Sequence, residues 1–174
     1  MTDLTPLASK NLGERYGLPV VDWARAEEAL AQGPTPEVTY FIGTCRPDGT
    51  PHAAGLGAQW SQGALYFTSN PTTRKARDLA VNPRCTMSVR LPGVDLVLEG
   101  EARRETDAAT LERIAAGYRA GGWPAEVQDD ALTAPYSAPS AGPAPWHVYR
   151  FTLHAAVGLT TTEPGGATRW TFAH

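Results

Sequence analysis

The sequence predicts a mainly β, α+β fold, in which six or seven strands form an antiparallel barrel with inserted helices. Short β-branched and aromatic runs follow one another, with turn signals between them. Most connections are too short for crossovers, so neighbouring strands are expected to be antiparallel. The alternation of strands and helices that builds a doubly wound parallel sheet is absent. The 174 residues fit a single domain.

Residues 1–36 are predicted to form an N-terminal arm and a helix. Residues 1–21 are polar and contain Gly and Pro, and we expect them to wrap loosely over the body. Asp22 can cap a helix over residues 23–32, whose apolar residues share one face. A Gly-Pro step at Gly33 ends this helix.

Residues 37–105 are predicted to form the barrel core. The run TYFIGTC at residues 39–45 is followed by a PDGT turn, which is a hairpin signal. A strand of small residues, PHAAGLGAQW, then covers residues 51–60, and ALYFT at residues 64–68 completes a meander.

A helix and two further strands complete this core. Thr72 or Thr73 caps a helix over residues 74–81, and an Asn-Pro step ends it because the residue before proline is pushed out of the helical region. Strands at residues 85–91 and 94–105 follow, joined by Pro-Gly.

The C-terminal third is predicted to contain a helix, a long loop and a hairpin. A helix covers residues 107–121, with apolar residues along one face. Residues 122–145 are rich in Ala, Pro and Gly, and a loop of this length is either a functional lid or disordered. Residues 146–174 contain a terminal hairpin, with strands at 147–160 and 167–172.

Charge and hydropathy argue against two classes of partner. The 18 acidic and 15 basic residues are too evenly balanced to indicate binding to nucleic acid or to an anionic membrane. No basic-then-apolar leader opens the sequence, and no apolar run approaches the roughly 20 residues that span a bilayer. We therefore expect a cytoplasmic protein.

Cysteines and histidines give no sign of a metal or redox centre. Cys45 and Cys85 lie far apart in apolar runs and are interpreted as reduced core residues. The four histidines lack the spacing of metal ligands, so no metal site is predicted; they are His52, His147, His154 and His174. His147 and His154 are seven residues apart, which places them on opposite faces of a strand.

The start of the predicted helix at residues 74–81 is the sharpest chemical signal. Arg74 and Lys75 occupy its first turn, where the helix dipole disfavours cations by about 0.3–1 kcal/mol each. An anion bound there by the helix amides, the Thr hydroxyls and both cations would remove this conflict, and a phosphate fits such a donor set. The alternative is a solvated helix start whose cations point away from the protein.

The small-residue strand at residues 51–60 is a second signal. Ala and Gly weaken a strand interior, because they offer little side chain to pack and Gly loses backbone entropy. Such a strand suits a place where a flat ring approaches the backbone. The alternative is a bend or a bulge of the barrel.

Three segments together resemble a known superfamily. TYFIGTCRPDGTPH, YFTSNPTTRKARDL and NPRCTMSV resemble, in this order, the pyridoxamine-phosphate-oxidase-like split β-barrels. The resemblance covers residues 37–105 well and the terminal hairpin loosely, and its most specific part is the Thr-Arg-Lys step that opens a helix. This superfamily includes enzymes that use FMN and enzymes that use the deazaflavin coenzyme F-420. Its members are usually homodimers with the cofactor at the subunit interface.

The resemblance implies a set of cofactor contacts. Arg74 and Lys75 would hold the phosphate; Thr68, Ser69, Asn70 and Thr73 would line the cofactor's side chain; His52, Ala53, Ala54 and Gly55 would face the ring through their backbone. FMN is the first choice, because its terminal phosphate monoester suits the helix start. The deazaflavin is the alternative, since Arg46, Arg77 and Arg84 could extend a basic track for its longer tail.

The substrate side departs from the oxidases of pyridoxamine phosphate. Those enzymes end in an Arg-x-His pattern, whereas this sequence has Arg169 and Trp170 in its last strand, so oxidation of vitamin B6 is not expected. These two residues remain substrate candidates. Trp123, Tyr136 and Trp146 bracket the long loop and either close over the ring as a lid or anchor the loop to the core.

The sequence therefore predicts an oxidoreductase that uses a flavin or deazaflavin on a small organic substrate. No side chain is assigned as a catalytic acid or base. The alternative function is non-catalytic binding of a flavin, a deazaflavin or a haem-like ring, for storage, sensing or sequestration.

Overall fold

The fold is built on a curved antiparallel sheet of nine strands, with a separate two-stranded hairpin beside it. The computed structural model describes residues 4–33, 35, 37–137 and 139–173. The sheet contains β1 (Ala8–Asn11), β2 (Tyr40–Cys45), β3 (Pro51–Leu56), β4 (Ala58–Ser61), β5 (Ala64–Ser69), β6 (Arg84–Leu91), β7 (Val94–Glu105), β10 (His147–Thr160) and β11 (Ala167–Thr171). The hairpin contains β8 (Glu126–Gln128) and β9 (Ala131–Thr133). The mainly β, antiparallel class is confirmed, but the predicted number of strands is too low.

The strand order explains why the sheet curls. Its main path runs β1-β11-β10-β7-β6-β2-β3. One edge of β10 pairs with β7, while its other edge pairs first with β5, through residues 147–151, and then with β11, through residues 155–159. The register with β7 shifts between Leu153 and Ala155, and such irregularities bend a strand. The bend lies where β10 passes from one partner to the other.

The barrel stays open between β3 and β4. Among the described strands, β3 pairs only with β2, and β4 pairs only with β5. The prediction of one strand over residues 51–60 is wrong, because the chain leaves the sheet at Gly57. Tyr40, the first residue of β2, lies opposite Leu56, so β3 has no partner beyond that point.

Three helices lie against the sheet, and their starts follow the predicted caps. They are α1 (Trp23–Leu30), α2 (Arg74–Val81) and α3 (Ala108–Ala120). Asp22, Thr73 and Asp107 each accept a hydrogen bond from a backbone N–H in the first turn. The bounds of α2 match the prediction, whereas α1 ends two residues early.

Two apolar cores hold these elements together. The larger core fills the barrel, where Trp23 of α1 packs edge-on against Trp170 and Phe172, with ring centroids 5.4 and 4.8 Å apart. The smaller core lies under α3, whose Leu111 and Ile114 are fully buried. Burying such side chains stabilises the fold by about 1.5–3 kcal/mol each.

Two segments contain more structure than the sequence predicts. Within the arm, β1 pairs with β11, so these residues extend the sheet rather than wrap loosely. Residues 122–145 contain the β8–β9 hairpin and a 3-10 turn at Pro139–Ala141. No helix in the described part of the chain is long and apolar enough to cross a bilayer.

Candidate functional site

Within the part of the chain that the structure describes, β3 is an edge strand that pairs on one side only. Its residues alternate, so that Ala53 lies opposite Gly43 of β2, and His52 lies opposite the buried Thr44. Ala53 and Gly43 therefore share the outer face of the sheet, and His52 and Thr44 share the inner face. The unpaired N–H and C=O groups of an edge strand can bond a ligand.

A broad groove runs beside this edge across the outer face of the sheet. Its volume is about 1270 Å³. Its lining comes from β2, β3, β6, β7, β10 and the end of α2: Gly43, Thr44, Cys45, Pro51, His52, Ala53, Asn82, Arg84, Cys85, Thr86, Glu99, Gly100, Glu101, Arg103, Thr152 and His154. Two of the residues predicted to face the ring, His52 and Ala53, are among them.

The floor of the groove near β3 is made flat by small residues. Ala53, Gly43 and Thr86 are neighbours across three adjacent strands. A Cβ atom at Gly43 would lie 2.6 Å from the Thr86 hydroxyl oxygen, so only glycine allows this approach without a shift. The small residues of β3 therefore lie at one end of the flat groove floor.

Ion pairs lie along the far side of the groove. Arg103 binds Glu101 at 2.8 Å, and Arg169 donates two hydrogen bonds to the Glu99 carboxylate, at 3.1 and 2.9 Å. The hydrogen bond from Arg169 lowers the pKa of Glu99, so this carboxylate remains ionised. Arg169 therefore lies at the groove and holds one of its carboxylates in place.

A buried carboxylate ties α2 to β2. Asp78 is buried and accepts a hydrogen bond from the Thr44 hydroxyl at 2.9 Å. The Arg74 guanidinium lies 3.8 Å from the other Asp78 oxygen, and 41% of the Arg74 side chain is exposed. Lys75 is only 3% exposed, and this burial lowers its pKa. Arg74 is thus the cation at this helix start that solvent reaches.

The loop before α2 is held by its own hydrogen bonds. Ser69 and Thr73 share a hydrogen bond of 2.7 Å, and the Thr73 hydroxyl also donates to the Asn70 carbonyl at 3.0 Å. The Asn70 side-chain oxygen accepts from the N–H of Thr72 at 2.8 Å. These polar groups shape the loop that leads into the first turn of α2.

Thr68 lies on the other side of β5 from this loop. Successive residues of a strand point to opposite faces, so the Thr68 and Ser69 side chains point in different directions. The Thr68 side chain approaches the Tyr118 hydroxyl of α3. Its predicted place beside the cofactor stays a prediction.

The Pro-rich segment packs directly on this loop. Asn70 donates its backbone N–H to Ala141 and its side-chain amide to Pro143, both at 2.8 Å. A Cβ atom at Gly142 would lie 3.1 Å from the Asn70 Cβ atom. Asn70 thus anchors this segment over the start of α2.

The three aromatic residues that bracket the segment hold it in place. Trp123 donates its ring N–H to the Tyr136 carbonyl at 2.5 Å, and its ring lies 5.3 Å from that of Trp146. Trp146 is buried and donates to the Gly142 carbonyl at 2.8 Å. These contacts fit the anchoring interpretation rather than a lid that moves freely.

Two other expectations from the sequence change, for Trp170 and for Cys45. Trp170 is fully buried in the barrel core, so it cannot contact a substrate. Cys85 is buried as predicted, but Cys45 is half-buried and lines the groove. His174 lies outside the described residues. Within the described part there is no group of three His, Cys, Asp or Glu side chains that could hold a metal ion.

Comparison of the sequence with protein-family models identifies the family of this chain. The model described as pyridoxamine 5'-phosphate oxidase matches residues 26–153, which is most of the chain. The chain belongs to the pyridoxamine 5'-phosphate oxidase family. This confirms the resemblance seen in the strand and helix motifs. No curated protein sequence shows significant similarity to this family member.

Solved structures with the same fold come from several bacteria. The chain has 19% identity, with a TM-score of 0.54, to a putative pyridoxamine 5'-phosphate oxidase from Listeria innocua, covering 76% of this chain and 94% of that one. It has 18% identity, with a TM-score of 0.52, to an FAD-binding protein from Mesorhizobium loti, covering 87% of this chain and 96% of that one. It has 15% identity, with a TM-score of 0.59, to a heme binding protein from Mycobacterium smegmatis, covering 85% of this chain and 57% of that one. At these identities the likeness shows the fold alone.

The site of this family member fits a phosphorylated ring cofactor in part. The free edge of β3, the flat groove floor and the accessible Arg74 suit a ring and a phosphate. Lys75 is largely buried, and its contact with the phosphate stays a prediction. The sequence missed the groove residues Gly43, Thr86 and Glu99, because they come from three strands whose lateral order depends on pairing.

Proposed function

We propose that the chain binds FMN, or alternatively the deazaflavin coenzyme F-420, along β3 and the start of α2. The observation that carries this proposal is the edge of β3, which lies beside the groove, while the neighbouring strand β2 connects through Thr44 and Asp78 to the Arg74 guanidinium. A bound flavin would supply hydride or electron transfer, while the protein positions the ring and excludes water. The substrate class is then a small organic molecule that accepts or donates a hydride.

Arg74 and the helix amides are the groups proposed to hold the phosphate. A phosphate at a helix N-terminus is favoured by the dipole and by the free N–H groups. Asp78 keeps Arg74 near the first turn without covering it. Lys75 adds a second positive charge at the helix start. Burial lowers the pKa of Lys75, and a bound phosphate would raise it.

FMN remains the first choice because the additional cations do not form one track. Arg84 lines the groove, whereas Arg77 lines a separate cavity against β7 and β10. A tail that carries several further anions would need cations along one continuous path. The phosphate monoester of FMN needs only the start of α2.

We propose a homodimer in which a second copy covers the outer face of the sheet. Phe41 and Val97 point outward from β2 and β7 and are 54% and 47% exposed. The groove opens on the same face, so a second copy would close it. Light scattering should give twice the monomer mass, and a stable monomer that still binds FMN tightly would contradict the dimer.

Turnover separates an oxidoreductase from a non-catalytic binder. The alternative function is storage, sensing or sequestration of a flavin, deazaflavin or haem, and fold relatives include proteins described as FAD-binding and heme binding. The loaded protein should reduce members of a panel of quinones and conjugated acceptors when reductant is supplied. Tight cofactor binding without turnover of any acceptor would favour the alternative.

A further inference from the structure

A second cavity lies between α2, β7 and β10. It has a volume of about 370 Å³, at the lower end of the range for ligand pockets. Its lining is apolar at the floor and basic at the rim: Pro71, Ala76, Arg77, Leu79, Ala80, Pro83, Ala102, Arg103, Arg104, His147 and Tyr149. Of these residues, Arg103 also lines the groove.

The rim of this cavity carries three guanidinium groups and no lining carboxylate. Arg103 pairs with Glu101 at 2.8 Å, and Arg104 pairs with Asp130 at 2.6 Å. Arg77 forms no ion pair within the described part of the chain. One positive charge at the rim is therefore uncompensated.

His147 reports the same positive environment. Burial and the nearby Arg104 lower the pKa of His147, while Asp130 acts in the opposite direction. Arg77 and Arg103 are the other charged groups that line this cavity. An anion bound there would oppose the effect of Arg104 and favour the imidazolium form.

We propose that this cavity binds a small aromatic carboxylate. A single carboxylate matches the one uncompensated guanidinium, that of Arg77, and Arg forms paired hydrogen bonds with such a group. The floor contains the buried residues Ala76, Leu79 and Tyr149, which offer an apolar surface to a flat body. The proposal does not depend on flavin binding, because its cation is Arg77, whereas the proposed phosphate site uses Arg74.

Titration with benzoate, followed by NMR of the His147 imidazole, tests this site. Loss of one charge-assisted hydrogen bond is expected to weaken benzoate binding about tenfold or more in Arg77→Ala. Arg90→Ala, which removes an exposed arginine on the β6–β7 hairpin, should leave benzoate binding unchanged. Benzyl alcohol, which lacks the charge, should bind weakly and alike to both variants.

The pH dependence has a defined sign. Bound benzoate should raise the pKa of His147, so binding takes up a proton and weakens as the pH rises through the pKa of the complex. Ala80→Phe should fill the cavity and abolish binding, with melting temperatures showing that each variant folds. The proposal is overturned if benzoate does not shift the His147 signals. It is also overturned if Arg77→Ala weakens FMN as much as Arg74→Ala, because the cation then belongs to the flavin site.

Discussion

Replacing Arg74 with alanine should separate phosphate binding from stability. The Arg74 guanidinium is 3.8 Å from the Asp78 oxygen, beyond hydrogen-bond distance, and its side chain is 41% exposed. Because the Asp78 side chain is only 1% exposed, removing its cation should cost about 1–3 kcal/mol, so the melting temperature should fall by roughly 2–12 °C. A charge-assisted hydrogen bond to phosphate is worth about 1.5–3 kcal/mol, so the affinity for FMN should fall about 10- to 150-fold.

Quenching of flavin fluorescence measures this change, with riboflavin as the matched ligand. Riboflavin lacks the phosphate, so its affinity should change less than about threefold in Arg74→Ala. Replacing both Arg74 and Lys75 with alanine should widen the difference between the two ligands. Equal losses for FMN and riboflavin would show that Arg74 shapes the ring site rather than holding a phosphate, and no loss for either would refute the assignment.

Three further predictions concern the framework around the site. Gly100→Ala should lower the free energy of unfolding in urea by about 1–3 kcal/mol or more, because its Cβ would lie 2.1 Å from the Thr152 carbonyl oxygen. The control is Gly57→Ala, which has open space around it and should be nearly neutral. Burial raises the pKa of Cys85 to about 12, so its thiol should stay protonated and resist alkylation in the native protein between pH 7 and 10; rapid native labelling would contradict this. Asn70→Ala should speed amide exchange in residues 139–146, since it removes the hydrogen bond to Pro143; unchanged exchange would show that other contacts hold the segment.

Local signals predicted the elements whose ends are marked by single residues. α2 begins at the Thr73 cap and ends before an Asn-Pro step, so its bounds could be read directly. β1 could not be found in this way, because its four residues are largely exposed and it forms only by pairing with β11 near the other end of the chain. The hairpin of β8 and β9 has three residues in each strand, too few for a periodic pattern.

Site residues could be predicted where they lie within one short segment of the sequence. They could not be predicted where strand pairing brings distant residues together. The resemblance placed Ala53 and Arg74, and both lie where a ring and a phosphate could be held. The alternation of side chains along a strand points Thr68 away from Ser69, which the resemblance by itself did not show. The burial of Lys75 and Trp170 depends on tertiary packing, which residue type alone does not reveal.

The most direct test of the central claim is a map of backbone amide shifts on addition of FMN to the labelled protein. The account predicts that the largest changes fall on residues 51–56 of β3 and on residues 72–76 at the start of α2. Riboflavin should move the first group and leave the second nearly unchanged. Binding that shifts neither segment, or that shifts only the cavity between α2, β7 and β10, would contradict the account.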